Sequence, residues 1–265
     1  MILVTGATGN IGRPLVRTLL REGAPVRALT RDAVRAAADG AVPGPAVAAE
    51  GDLERPTTLR AALDGVRALF LLPTGREDAP GVLRAAADAG VERVVAVSSL
   101  LAATHPSSAM GRAALRTERA VLGSRLAWTV LRPWEFASNT LAWAPAVRGT
   151  GVVAVPTAGV PSPVVDPGDI AAVAARALTE EGHGGRYYPL TGPEALTPYD
   201  KARAIGEAVG REVKFDATGG ERGGRTPHGV CGYDAPAPAA TVQEVAGRPA
   251  RSFAEWAREH ADAFR

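Results

Sequence analysis

The sequence predicts an α/β protein, a doubly wound parallel sheet of Rossmann type with a smaller C-terminal α+β lobe. Three observations carry that expectation. The chain opens on a short apolar run, Ile2-Leu3-Val4, followed by glycines at Gly-x-x-Gly-x-x-Gly spacing, Gly6, Gly9 and Gly12. Short β-branched apolar runs then alternate with stretches of helical period, the pattern of βαβ units. Beyond about residue 150 the texture changes to shorter strands with more Pro and Gly, so residues 1–150 and 151–265 read as two regions. Gly168–Leu178 is expected to pack back on the sheet from the second.

Each element has a local reason. Ile2–Val4 reads as a buried strand that breaks at Gly6. The three glycines are expected to turn the chain, to admit a pyrophosphate against the backbone, and to let helix pack closely on strand. The helix after Gly12 carries Leu15, Val16, Leu19 and Leu20 at helical spacing and stops at Gly23. Its N-terminal N–H groups are unpaired and partially positive, so an anion sits well there. Strands follow at Pro25–Thr30, Ala46–Ala49, Val66–Leu72, Val91–Val97 and Trp128–Leu131. Helices lie between them at Ala33–Ala38, from Pro56 to Leu63, at Gly81–Ala89 and at Arg112–Leu122. Six strands separated by helices give the parallel sheet. Further on, helices are expected at Gly168–Leu178, Pro198–Val209 and Arg251–Ala263, and strands at Tyr187–Leu190 and Glu212–Phe215. Gly219–Pro238 is rich in Gly and Pro without periodicity, and reads as a loop or mobile cover.

Composition narrows the function. At 265 residues the chain is long enough for a sizeable core. A net charge of +2, with no basic block or aromatic-basic interleaving, points away from nucleic acid. The single Cys231 permits no intramolecular disulfide and fits a reducing compartment. No run is long enough to span a bilayer, so no membrane role and a cytoplasmic location are expected. Lys occurs only at 201 and 214, and no Tyr precedes Tyr187.

Several stretches together resemble the NmrA-like group of atypical short-chain dehydrogenase/reductases. They are Val4 to Gly12, Leu29-Thr30-Arg31, Gly51-Asp52-Leu53, Val97-Ser98-Ser99, Trp128 to Pro133, Asp169-Ile170-Ala171, Leu190 to Glu194 and Gly247-Arg248-Pro249. The resemblance covers nearly the whole chain in order and weakens between Gly219 and Pro238. It implies a Rossmann sheet with a small lobe and substrate between them, but fits both quinone-type reductases and non-catalytic dinucleotide sensors. It also implies that Asp52 and Leu53 bracket an adenine and that Leu72-Pro73 border the nicotinamide ribose. Gly6, Thr8, Gly9, Asn10, Ile11, Gly12 and Ser98 complete the expected cofactor contacts.

Charge bears on which cofactor is held. NAD-selective sites place an acid at the end of the second strand, whereas this chain reads Thr30-Arg31-Asp32, cation first. A guanidinium clamps an adenosine 2′-phosphate that a carboxylate would repel. NADP(H) is therefore expected ahead of NAD(H), with Arg13 available as a second cation. Alternatively both arginines are surface charges, and Asp32 turns toward the ribose. Asp52 equally suits an N-cap of the following helix.

The chemistry is less determined. Most short-chain dehydrogenases use a Tyr-x-x-x-Lys pair, and here Met110 and Ala114 fall where that pair belongs. A quinone or conjugated carbonyl accepts hydride without a strong acid, because the resulting anion is delocalised; a plain ketone does not. His105, with an intrinsic pKa suited to proton exchange, Ser99 and Arg116 are the candidate catalytic groups, and Thr104 is a further hydroxyl on the same loop. Each has an ordinary alternative as a capping or surface residue. Trp134, Glu135, Phe136, Asn139 and Trp143 follow the sixth strand as a candidate wall for a planar aromatic or quinone-like substrate, although some of these aromatics must be core. No histidine has partners at metal-ligand spacing, and no metal is expected. Three activities fit: an NADPH-dependent reductase, a non-catalytic NADP sensor, and an isomerase, epimerase or cyclase using the same fold. A homodimer is common for such folds, but nothing in the sequence demands one.

Overall fold

A computed structural model describes residues 1–155, 161–216 and 234–265. Contacts divide them into two compact units: Met1–Pro133 with Ile170–Pro189, and Trp134–Asp169 with Leu190–Arg265. The division falls where the sixth strand ends at Pro133, earlier than the change in texture near residue 150. From Glu135 onward the backbone pairs within the second unit, Val165 N–H donating to Glu135 O and Ala137 N–H to Val165 O.

In chain order the elements are β1 (Ile2–Val4), α1 (Gly12–Arg21), β2 (Val26–Thr30), α2 (Ala33–Ala38), β3 (Val47–Glu50), a 3₁₀ turn (Pro56–Leu59) running into α3 (Arg60–Leu63), β4 (Ala68–Leu71), α4 (Ala79–Asp88), β5 (Arg93–Val97), α5 (Leu101–Thr104), α6 (Ala109–Leu122) and β6 (Ala127–Pro133). A 3₁₀ helix (Ala137–Trp143) then leads to α7 (Ala144–Gly149), β7 (Val152–Ala154), α8 (Pro167–Thr179), β8 (Arg186–Leu190), α9 (Pro198–Val209), β9 (Lys214–Asp216), α10 (Thr241–Ala246) and α11 (Phe253–Glu259).

The main sheet is parallel and seven-stranded, in the order β3-β2-β1-β4-β5-β6-β8, so the strand order reverses between β1 and β4. Its register pairs Ile2 with both Val26 and Ala68, and Val97 with Leu131. The seventh strand is supplied by residues beyond 150. The turn before it is pinned to β6: Gly185 N–H donates to Trp128 O, and Thr129 Oγ1 donates to His183 O. On one face of the sheet Leu3, Leu69, Leu71, Val94 and Val130 pack against Leu59, Leu63, Val82, Leu83 and Ala86. Helix α6 starts three residues ahead of the expected Arg112, because Ser108 Oγ accepts from Gly111 N–H and caps it. The short helix α5 has no apolar period long enough to announce it.

In the second unit β7 and β9 form a two-stranded parallel sheet. Phe253, Trp256 and Phe264 are fully buried there with Ile205 and Val147. Helix α9 runs over the expected span, closed at its start by a Thr197–Asp200 capping box and at its end by Gly210 at φ 73°. The expected helix Arg251–Ala263 begins later, at Phe253, behind a Ser252–Glu255 capping box, and gives way to a 3₁₀ turn at Ala261. Two stretches distant in sequence meet inside this unit. Arg248 reaches the fully buried Asp169 at 2.7 Å, and Asp169 Oδ2 also accepts from Arg251 N–H. Residues 219–233 of the expected Gly219–Pro238 loop, including Cys231, lie outside the described residues. Among the described residues no helix is long and apolar enough to cross a membrane.

Candidate functional site

The loop joining β1 to α1 is shaped by its glycines. Gly6 sits at φ 61°, a left-handed conformation that other residues resist, and a Cβ there would lie 2.7 Å from Leu72 Cδ2. A Cβ on Gly12 would lie 2.1 Å from Gly6 O, so only glycine lets α1 close against the loop. Ile11 is buried and supplies the helix N-cap with no side-chain hydrogen bond, and the first turn holds no acid. That leaves a helix N-terminus open to an anion, with Thr8, Gly9 and Asn10 exposed in front of it. Thr5, overlooked as a side chain in the sequence, is buried, and its Oγ1 accepts from Leu72 N–H at 2.8 Å. It ties the end of β1 to the end of β4, where Leu72 and Pro73 sit.

On the β2 side of this loop lies a cavity of about 680 Å³ lined by Thr5, Gly6, Thr8, Arg31, Asp52 and Leu53, among others. Arg35 and Arg76 also line it. Asp32 also lines it, and its Oδ1 accepts from Arg35 N–H near the start of α2. Asp39 is paired with Arg35. Asp52 is not a helix N-cap. Its Oδ1 accepts from Glu54 N–H and its Oδ2 pairs with Arg55 at 3.1 Å. The Glu54 hydrogen bond holds its carboxyl below the ordinary value against the opposing effect of desolvation, with Arg55 and the field of Arg31 adding to it. Arg31 also lines an adjoining cavity of about 220 Å³ with Asp52, Arg55 and Thr58.

On the other side, at the end of β5, the half-buried Ser98 begins a polar chain centred on the buried Glu118. Ser98 Oγ donates to Glu118 Oε1 at 2.6 Å, and Arg132 grips the same carboxylate through Nε at 2.9 Å and Nη2 at 2.7 Å. The Arg132 guanidinium lies 4.0 Å from the centre of the Tyr187 ring. The Glu118 side chain is 5% exposed. The sequence reading missed Glu118 and Arg132. The signal was present on α6, where Gly111, Glu118 and Val121 share one buried face.

The catalytic candidates stand apart from that chain. Ser99 Oγ accepts from Leu101 N–H, a local backbone bond in the turn before α5. Thr104 Oγ1 donates to Leu100 O, and His105 Nδ1 lies 3.0 Å from Thr104 Oγ1. Arg116 is exposed, and being two residues from Glu118 it projects from the opposite face of α6. Met110 is exposed at the start of the same helix. The described tyrosines have other partners: Tyr187 lies beneath Arg132, Tyr188 bonds His183, and Tyr199 stacks edge-on against Phe215.

The proposed substrate wall lies in the second unit. Trp134 is buried and donates from Nε1 to Ser162 Oγ at 2.9 Å, which makes it a packing residue. Glu135 is not a solvated acid; it is clasped by Lys201. Phe136, in extended backbone, is the N-cap of the 3₁₀ helix Ala137–Trp143, and both it and Asn139 are half-buried. Trp143 lies a third of a turn from Asn139 and packs on the core of Ala137, Ala144 and Val147. His183 and His260 are bonded to Tyr188 and to Trp256 O, and among the described residues no cluster of His, Cys, Asp and Glu could hold a metal ion.

A parallel sheet with its switch point beside a glycine-shaped loop and an uncapped helix defines a dinucleotide-binding protein. The chain belongs to the NAD(P)H-binding family, whose family model matches residues 6–181. It is an NAD(P)H-dependent reductase of the NmrA-like, atypical short-chain dehydrogenase/reductase type. It is 39% identical to the (4-alkanoyl-5-oxo-2,5-dihydrofuran-3-yl)methyl phosphate reductase of Streptomyces griseus subsp. griseus, over 100% of this chain and 99% of that protein. It is 38% identical to the NAD(P)H azoreductase of Xenophilus azovorans, again over 100% and 99%. Among solved structures, the NADPH-dependent quinone oxidoreductase of Escherichia coli complexed with NADPH superposes with a TM-score of 0.81 at 26% identity, covering 98% of this chain and 99% of that one.

Proposed function

We propose that the chain uses NADPH to reduce a quinone or a carbonyl conjugated to a carbon–carbon double bond. The observation that carries this reading is the missing proton donor. No Tyr precedes residue 187, no Lys precedes residue 201, and the described tyrosines and lysines are engaged elsewhere or exposed. Burial moreover raises the Tyr188 phenol, which makes it a weaker acid.

NADPH, when bound, supplies the hydride. The chain's own residues then have three tasks. The β1–α1 loop and the α1 N-terminus hold the diphosphate. Arg31 meets the 2′-phosphate, with Asp52 and Leu53 beside the adenosine. Leu72, Pro73 and Ser98 line the nicotinamide side. The acceptor's carbonyl oxygen takes the electron pair as a delocalised anion, and water or His105 supplies the proton.

The relatives' names support this chemistry. One is named for reducing an alkanoyl-substituted oxo-dihydrofuran, one for azo compounds and one for quinones. Each such acceptor is a conjugated π system that spreads the charge delivered by hydride. The single cysteine fits a reducing compartment.

Loss of NADPH absorbance with a panel of acceptors tests the reading. Quinones, acylated butenolides and azo dyes should be reduced, and isolated ketones should not. Turnover of unconjugated ketones at comparable rates would refute it. His105→Ala should lower kcat on quinones by less than about tenfold, since a positioned acid contributes on the order of 10²–10⁴ only where the transition state needs one.

A further inference from the structure

Ser98 stands at the carboxyl end of β5, two strands beyond β1 in the sheet order. The cavity with Arg31 and Asp52 lies on the β2 side of the glycine loop. A dinucleotide whose diphosphate rests on α1 and whose adenosine fills that cavity must send its nicotinamide the other way, over the ends of β4 and β5. Ser98 is then a polar side chain on the nicotinamide's route.

The polarity of that hydroxyl is fixed from behind. A carboxylate gripped by a guanidinium only accepts hydrogen bonds, and Arg132 donates two parallel N–H groups to Glu118. The 2.6 Å contact therefore commits the one Ser98 proton to Glu118 and leaves only lone pairs on the open side of the oxygen. Such a group accepts and does not donate. A buried ion pair contributes little to stability compared with an apolar pair of the same volume, so this pair, with Glu118 5% and Arg132 18% exposed, calls for another explanation.

We propose that Glu118 is a positioning residue that makes Ser98 a dedicated hydrogen-bond acceptor for the carboxamide amino group of the nicotinamide. That amino group carries the only N–H donors on the nicotinamide ring. Ser98 so polarised fixes the rotation of the carboxamide and with it the placement of the ring, and it is removed from any part in protonating the substrate. The inference rests on the cofactor reading above.

The test compares NADP⁺ with its 3-acetylpyridine analogue, in which a methyl group replaces the amino group. Calorimetry reads binding alone, without turnover. The unaltered chain should bind NADP⁺ about tenfold more tightly, at the upper end of what one hydrogen bond contributes. Ser98→Ala should bring the ratio close to one. Replacing both partners, Glu118→Leu with Arg132→Met, should also lower it severalfold while the melting temperature holds within a few degrees, because exchanging both partners for apolar groups is close to neutral. A purely structural role would weaken both nucleotides alike and leave the ratio unmoved, and that result overturns the proposal. If the double variant does not fold, the Ser98→Ala ratio decides alone. Failure of the unaltered chain to bind either nucleotide would instead refute the cofactor reading, and this proposal with it.

Discussion

Lys201 Nζ lies 2.9 Å from both carboxylate oxygens of Glu135, with the lysine side chain 4% exposed and the glutamate 14%. One of only two lysines in the chain is thus spent inside the second unit, clasping the residue that follows Trp134. Lys201→Met should cost about 3–5 kcal/mol, because it strands a carboxylate away from water. Adding Glu135→Leu should recover most of that loss. Urea unfolding of the single and double variants measures both, and an additive double variant would mean that the pair is not coupled.

Gly12→Ala should damage stability and binding together. Its Cβ would meet Gly6 O at 2.1 Å, so the helix and the loop must part. Overpacking of this kind costs about 1–3 kcal/mol. The displaced loop should weaken NADPH binding by more than about tenfold. Gly90→Ala is the control: it is strained at φ 85°, but nothing lies within 4 Å of its Cβ, so it should lose stability and keep nucleotide affinity.

Arg31→Ala should separate the two cofactors. A hydrogen bond to a charged group contributes about 1.5–3 kcal/mol, so KM for NADPH should rise roughly 10–100-fold while that for NADH stays within about twofold. Initial-rate kinetics with both nucleotides checks it. An equal rise for the two would return Arg31 to the role of a surface charge.

The carboxylates of the second unit should pull stability in opposite directions with pH. Hydrogen bonds from Thr197 and Ser252 hold Asp200 and Glu255 below their ordinary values. Their contribution is therefore present above the ordinary carboxylate range and lost as pH falls through the lowered values. Burial raises Asp166, outweighing its hydrogen bond from Gly168 and its pairing with Arg251. The folded chain thus holds that proton more readily than the unfolded chain, a contribution present at acid pH and lost as pH rises through the raised value. Unfolding midpoints from pH ~3 to ~8 should show Asp200→Asn losing most at neutral pH. Asp166→Asn should instead improve relative to the unaltered chain as pH rises.

What the sequence discloses is what is local. The Gly6–Gly12 loop, helix α1 and the Thr197–Val209 segment announce themselves because turn, cap and apolar period lie within a few residues of one another. Arg31 was legible from its place at the end of a strand. The Ser98–Glu118–Arg132 chain was not, since its members lie on β5, α6 and β6 and meet only when the sheet assembles. The same holds for Glu135 with Lys201 and for Asp169 with Arg248. Trp134 misled for a related reason: an aromatic after a strand looks the same whether it faces a ligand or, as here, a serine inside the core. Spacing at Phe136, Asn139 and Trp143 suggested one helical face, and the tighter 3₁₀ winding divides them.

The last strand of the main sheet is made late. During synthesis the segment ending at Pro133 leaves the ribosome well before Arg186–Leu190, so for on the order of seconds the outer rim of β6 has no neighbour. An unpaired rim of that sort invites other chains to add to it. A fragment stopping near residue 155 should therefore clump rather than fold quietly, and the nascent protein has reason to depend on chaperones until its C-terminal half arrives.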